Sequence, residues 1–265
     1  MMTHSRKTGL IIALALAFIG LGTKLDPIAQ NLAYHRFADQ RAVFGIPNFG
    51  DVAGNALFVV FGLMGLGQIL RQGSTIVFAL AGERTVWLVF FAGAACVGLG
   101  SAYYHLSPNN TTLVWDRLPM TIVFMSFFAL IIMERIHHRA GLFLFPLLLL
   151  AGAGSVVYWD YTEAAGHGDL RPYLLVQFLP LLLIPLKLWL FPPRYSGLGS
   201  LGHTLGWYVL AKVLEHFDAA IFRIFHQTVS GHTLKHLAAA MAVYSVLNYL
   251  NTRHPLDKAA DAVSV

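Results

Sequence analysis

The stretch RTVWLVFFAGAACVGLGSAYYHLSPNNTTLVWD, Arg84 to Asp116, decides the fold. From Thr85 to Tyr104 it holds no charged residue, and residues 84–105 supply the ~20 positions that an α-helix needs to cross a bilayer. Pro108 and Asn109 then mark a polar turn, and a second apolar run starts at Arg117. Working outward, comparable runs cover 10–23, 52–70, 117–134, 141–159, 173–191, 202–222 and 232–250. The chain is 57% hydrophobic and 12% charged, with a mean hydropathy of +0.63; a soluble domain carries about 25% charged residues. Backbone groups in hydrocarbon must be satisfied within the segment, which favours helices. The expected fold is therefore all-α, a polytopic transmembrane bundle forming one membrane domain over residues 1–265. It comprises an extra N-terminal helix at 10–23, a seven-helix core at 52–250 and a cytoplasmic tail at 251–265.

The first segment follows Arg6 and Lys7 and resembles a signal peptide. No small-x-small cleavage site precedes Lys24, so a retained helix is expected. With the N-terminus inside, ten Lys and Arg fall on the cytoplasmic side against six on the other, the direction of the positive-inside rule. Both termini are then cytoplasmic, and the acidic loop Asp160–Asp169 lies outside. The net charge of +5 reads as this orientation signal, and nothing points to nucleic acid. Cys96, the single cysteine, lies in an apolar segment and forms no intrachain disulfide.

Ser101 and His105 are four residues apart and share one helix face, as do His232 and His236. Asp116 opens the fourth segment. All three places map to the same membrane surface, and ionisable groups so close to hydrocarbon mark function. Three neutral imidazoles suit a catalytic Zn²⁺ site with its fourth position open. Asp116 is placed as a proton carrier and Ser101 as a hydrogen-bond donor to water or to a developing oxyanion. Against this, an H-x-x-x-H pair also arises by chance, and most of the twelve histidines flank helix ends. Tyr103, Tyr104 and Trp115 fit an interfacial aromatic belt. Asn48, Asp51 and Asn55 form a stripe suited to hydrogen bonds between helices. Lys212, Glu215, His216 and Asp218 cluster on the seventh segment, 202–222, as an internal ion pair or a head-group contact. A zinc-containing lipid receptor or sensor, a transporter and a bis-histidine haem carrier remain open at this point. A transporter would show broken helices and inverted repeats at mid-membrane.

The ordered set of Ser101–His105, Asp116 and His232–His236 resembles the signature of the CREST superfamily, which includes the alkaline ceramidases. GIPNFGDVAGNALF, Gly45 to Phe58, is similar to the first core helix of bacterial ceramidase-like members. The resemblance implies a seven-helix core and zinc on His105, His232 and His236, with a water there held by Asp116 and Ser101. It also implies hydrolysis of the amide bond of a ceramide-like N-acyl lipid, releasing a fatty acid. The charge bias of the loops then puts the site at the outer, periplasmic side of a bacterial inner membrane. The acidic, tryptophan-containing stretch that binds calcium in animal members is missing between Asp26 and Asp51.

Overall fold

The computed structural model describes residues 2–256, and every regular element in it is helical. The chain runs through α1 (His4–Lys24), a 3-10 turn at Leu32–His35, α2 (Phe49–Gly54), α3 (Ala56–Leu70), α4 (Glu83–Leu106) and α5 (Asn110–Arg135). It continues with α6 (His138–Ala164), α7 (Arg171–Leu190), α8 (Leu198–His216), α9 (Asp218–Ile224) and α10 (Gly231–Thr252). All eight expected segments are helical, and the molecule is an all-α bundle of a membrane protein.

Several boundaries differ from expectation, each for a local reason. The fourth segment begins at Asn110 instead of 117, because Asn109 and Thr112 form a capping box that starts α5 inside the polar turn. The second breaks at Asn55, whose side chain turns back to donate to the Asp51 carbonyl. The seventh breaks at Phe217, between α8 and α9. Pro119, Pro146, Pro180 and Pro185 lie inside helices, which neighbouring helices make tolerable in a membrane. Six spans are long and apolar enough to cross a bilayer: α1, Phe49–Leu70, α4, α5, α6 and α7. Helices α8 and α10 have the length, at 19 and 22 residues, but are more polar. They carry Lys212, Glu215, His232, Lys235 and His236.

The most apolar windows of α4 and α5 are 56% and 67% buried, against 6% for α1, so the first pair forms the centre and α1 the rim. Helix α1 rests on α7, where Gly22 meets Leu175. Small residues let the inner helices approach closely. A Cβ on Gly98 would lie 2.9 Å from the Asn55 carbonyl oxygen, and one on Gly100 would overlap the Trp115 carbonyl.

At the end of the bundle formed by the α4 N-terminus, a buried ion cluster ties three helices together. Arg253, just past α10, pairs with Glu83 on α4 and Glu134 on α5. Tyr195 donates to Glu83 and Tyr249 to Glu134, each at 2.7 Å. The expected tail from 251 is thus no free tail over its described part: α10 runs to Thr252, Arg253 is buried and Leu256 hydrogen-bonds Arg194. The tail from 257 to 265 lies outside the described residues.

Candidate metal centre

Helix α4 brings Ser101 and His105 to one face near its C-terminus, and both are buried. Ser230 caps α10 by accepting from the Thr233 amide, which fixes His232 in the first turn and His236 one turn on. The close passage of Gly54 past the His236 Cβ, at 3.3 Å for an added methyl, lets α2 seat this helix start. The result is a buried cluster of His105, His232 and His236 whose ligand nitrogens lie within 4.8 Å of one another. His105 Nε2 and His236 Nε2 are 3.0 Å apart, and imidazoles bound tetrahedrally at ~2.05 Å place their nitrogens about 3.3 Å apart. The three rings are nearly perpendicular in pairs, with centroids 4.9–5.0 Å apart. This cluster can hold a metal ion.

The surrounding polar residues hold the ligand helices in place. Asn48 donates to the His105 carbonyl at 2.8 Å. Asp51 Oδ1 accepts from Thr233 at 2.7 Å and from Ser230 at 3.3 Å, joining α2 to the start of α10. Asn55 bonds within its own helix pair. The stripe expected between helices is therefore interhelical at Asn48 and Asp51 and local at Asn55. Asp218 accepts from the His232 amide at 2.8 Å and from the Ala38 amide at 3.0 Å, so it fastens an N-terminal loop over the site.

Ser101 and Asp116 come together because Gly100 and Trp115, the residues before each, are in backbone contact. The Ser101 and Asp116 side chains are both buried at this helix contact. Asp116 is not in the three-residue ligand set. All five expected site residues thus gather at one end of the bundle, opposite the Arg253 cluster.

Three neighbours were not expected from the sequence. Phe37 lies against His105 and His232, with ring centroids 4.6 and 4.5 Å away. Lys235 Nζ lies 3.0 Å from His232 Nε2 and 3.2 Å from Glu215 Oε1. Glu215 also pairs with Lys212, the ion pair expected at that spacing. Tyr104 departs from the aromatic belt: it is buried, and its hydroxyl lies 2.8 Å from His35 Nδ1. His35 Nε2 is within 2.8 Å of Asn110, so both its ring nitrogens are engaged away from the cluster. Tyr103 and Trp115 are exposed, as a belt requires.

A signal for Lys235 was present, since it stands between the two histidines. Phe37 carried none, because its loop has no periodicity. The acidic loop near the site is used internally. Glu163 accepts from Trp159 and from the Gln30 amide. Asp169 pairs with Arg171, whose guanidinium holds its carboxyl below the usual carboxylate range. No protein-family model and no curated protein matches the chain.

Proposed function

We propose that His105, His232 and His236 hold Zn²⁺ and that the protein is an integral membrane amidohydrolase, cleaving a ceramide-like N-acyl lipid to a fatty acid and an amine. The observation that carries this reading is the buried three-histidine cluster, with Ser101 and Asp116 buried at the same end of an apolar bundle. The motif resemblance to the CREST superfamily supports it. Zinc in a three-imidazole site supplies a Lewis acid for an amide carbonyl and lowers the pKa of water there to ~7. Asp116 takes the proton that the attacking water loses and delivers it to the nitrogen of the breaking C–N bond. The Ser101 hydroxyl orients that carboxylate and can donate to the developing oxyanion. Phe37, packed on two ligand rings, keeps bulk water from the cluster. An imidazole nitrogen cannot both accept from Lys235 and bind a metal, so loading through His232 Nε2 leaves Lys235 to Glu215.

A cavity of about 340 Å³ opens beside α7 and α8, lined by Phe178, Leu181, Val209, Val213 and Phe217 with Tyr208, Lys212 and His216 at its polar part. Pockets for small ligands start near ~300 Å³. Its apolar walls suit an acyl chain arriving from the bilayer, and its lysine pairs with Glu215 on the path to Lys235. The charge bias of the loops supports an orientation with this end in the periplasm and the site in the outer half of a bacterial inner membrane.

The test is incubation of purified, zinc-loaded protein with N-acyl lipids and assay of free fatty acid. Ser101→Ala and Asp116→Asn should keep zinc and lose about 10²-fold or more in rate. Wild-type turnover in both overturns their roles, and no fatty acid from any N-acyl lipid overturns the amidase. For orientation, Ser107→Cys and Arg139→Cys are labelled in a Cys96→Ala background with an impermeant maleimide. Labelling of intact cells at 107 and protection at 139 is expected, and the reverse puts the site in the cytoplasm.

A further inference from the structure

Arg117 follows Asp116 on α5 and is 5% exposed. Its guanidinium lies over the Trp159 ring at 4.2 Å and the Tyr173 ring at 4.7 Å, with Tyr34 at 5.8 Å. One edge is used: Nη2 donates to Gln30 Oε1 at 2.6 Å. Nη1, by contrast, is buried without a hydrogen-bond partner. Among the described residues no carboxylate pairs with Arg117. Arg253 makes the contrast, since it is equally buried and meets two acids.

A guanidinium keeps its charge in any protein environment. Burial without a counter-ion is costly, and stacking on aromatic faces offsets only part of it. The rings and Gln30 account for part of the group; Nη1 is left over. Trp159 and Tyr173, which hold the guanidinium, belong to the same buried cluster as Phe37, the residue packed on His105 and His232, so Arg117 lies beside the metal centre. By contrast, Lys235 and Lys212 near the cluster share the carboxylate of Glu215.

We propose that Arg117 is the anion-recognising residue of this site and takes a carboxylate or phosphate oxygen on the head group of the bound lipid. The substrates are then anionic N-acyl lipids, in preference to neutral ones such as ceramide. The substrate half of this inference rests on the amidase reading, whereas the anion site itself does not.

Binding is measured on the purified full chain through tryptophan fluorescence, since Trp159 stacks on the guanidinium. The probes are decyl phosphate, the uncharged decyl glucoside and inorganic phosphate. Wild type should prefer decyl phosphate to decyl glucoside by about 10–100-fold, the range for hydrogen bonds to a charged group. Arg117→Gln should abolish that preference and Arg117→Lys should keep part of it, while Gln30→Ala controls for loss of the edge already used. Equal binding of the two amphiphiles by wild type, or an unchanged preference in R117Q, overturns the anion site. Inorganic phosphate binding as tightly as decyl phosphate overturns the lipid part. If R117Q does not fold, the wild-type comparison and R117K still decide. Hydrolysis separates the two claims. N-decanoylglycine should exceed N-decanoylethanolamine in kcat/KM by the same factor, and R117Q should lose it through KM. Equal rates for both amides leave the amidase standing and remove the anion preference. Arg117-dependent binding without hydrolysis of either does the opposite.

Discussion

A single methyl group at Gly100 should damage the site without touching any of its functional side chains. A Cβ built there overlaps the Trp115 carbonyl oxygen and lies 2.9 Å from its carbon, where 3.4 Å is an ordinary contact. The obstacle is backbone on both sides, so no side chain can rotate away. The carbon alone requires α4 and α5 to part by at least ~0.5 Å, and overpacking of this kind costs about 1–3 kcal/mol. At about 2–4 °C per kcal/mol in a chain of this size, Gly100→Ala should lower Tm by several degrees. The displaced residues are Ser101 and His105 on one helix and Asp116 on the other. A misplacement of ~1 Å costs about 10²-fold where reacting groups must be aligned. The assay is thermal unfolding in detergent together with metal retained after dialysis against a weak chelator. Gly154→Ala is the control, since a Cβ there meets nothing within 4 Å. A G100A protein that matches G154A in both Tm and metal retention refutes the idea that this helix contact sets the site.

Alanine at His105, His232 or His236 should strip the metal, read by atomic spectroscopy; unchanged content in all three variants rules the cluster out as the ligand set. Arg253→Met leaves Glu83 and Glu134 buried without their cation and should cost about 3–5 kcal/mol, seen as a large fall in Tm. Adding Glu83→Gln and Glu134→Gln should recover much of that loss, and no recovery would show that Arg253 acts through packing alone. The Asp169 carboxyl, held low by Arg171, stabilises the fold above the unfolded value of ~3.9 and loses this contribution as pH falls through its lower folded value. Asp169→Asn should therefore flatten the acid limb of Tm against pH below about pH 4, and superposable limbs for the two proteins contradict the assignment.

The helices were legible because each apolar run approached membrane-spanning length, and the eight runs are helical. Their ends were less so. The start of α5 depends on the capping pair Asn109–Thr112, which a hydropathy pattern reads as turn. The meeting of Ser101 with Asp116 was visible as a shared membrane surface. Its cause, Gly100 against Trp115, is a tertiary contact with no trace in composition. Tyr104 looked like its interfacial neighbour Tyr103, yet its helix face turns it inward to His35. Arg117 counted only as a loop charge in the topology, although it is buried in an aromatic box. Charge counting treats every arginine near a helix end alike, and burial separates them.

The Arg253 cluster also bears on how the molecule is made. Helix α10 follows all the other described helices in the chain, and it brings both His232 and His236 together with the arginine at its end. Until it arrives, Glu83 and Glu134 stand in the bundle without the cation that neutralises them, and His105 faces no second imidazole. A nascent chain that stops short of α10 is therefore marked as unfinished at both ends of the bundle, by bare acids at one and an incomplete ligand set at the other. The same insertion step relieves both, so a molecule competent to take up metal is already one whose far end is locked.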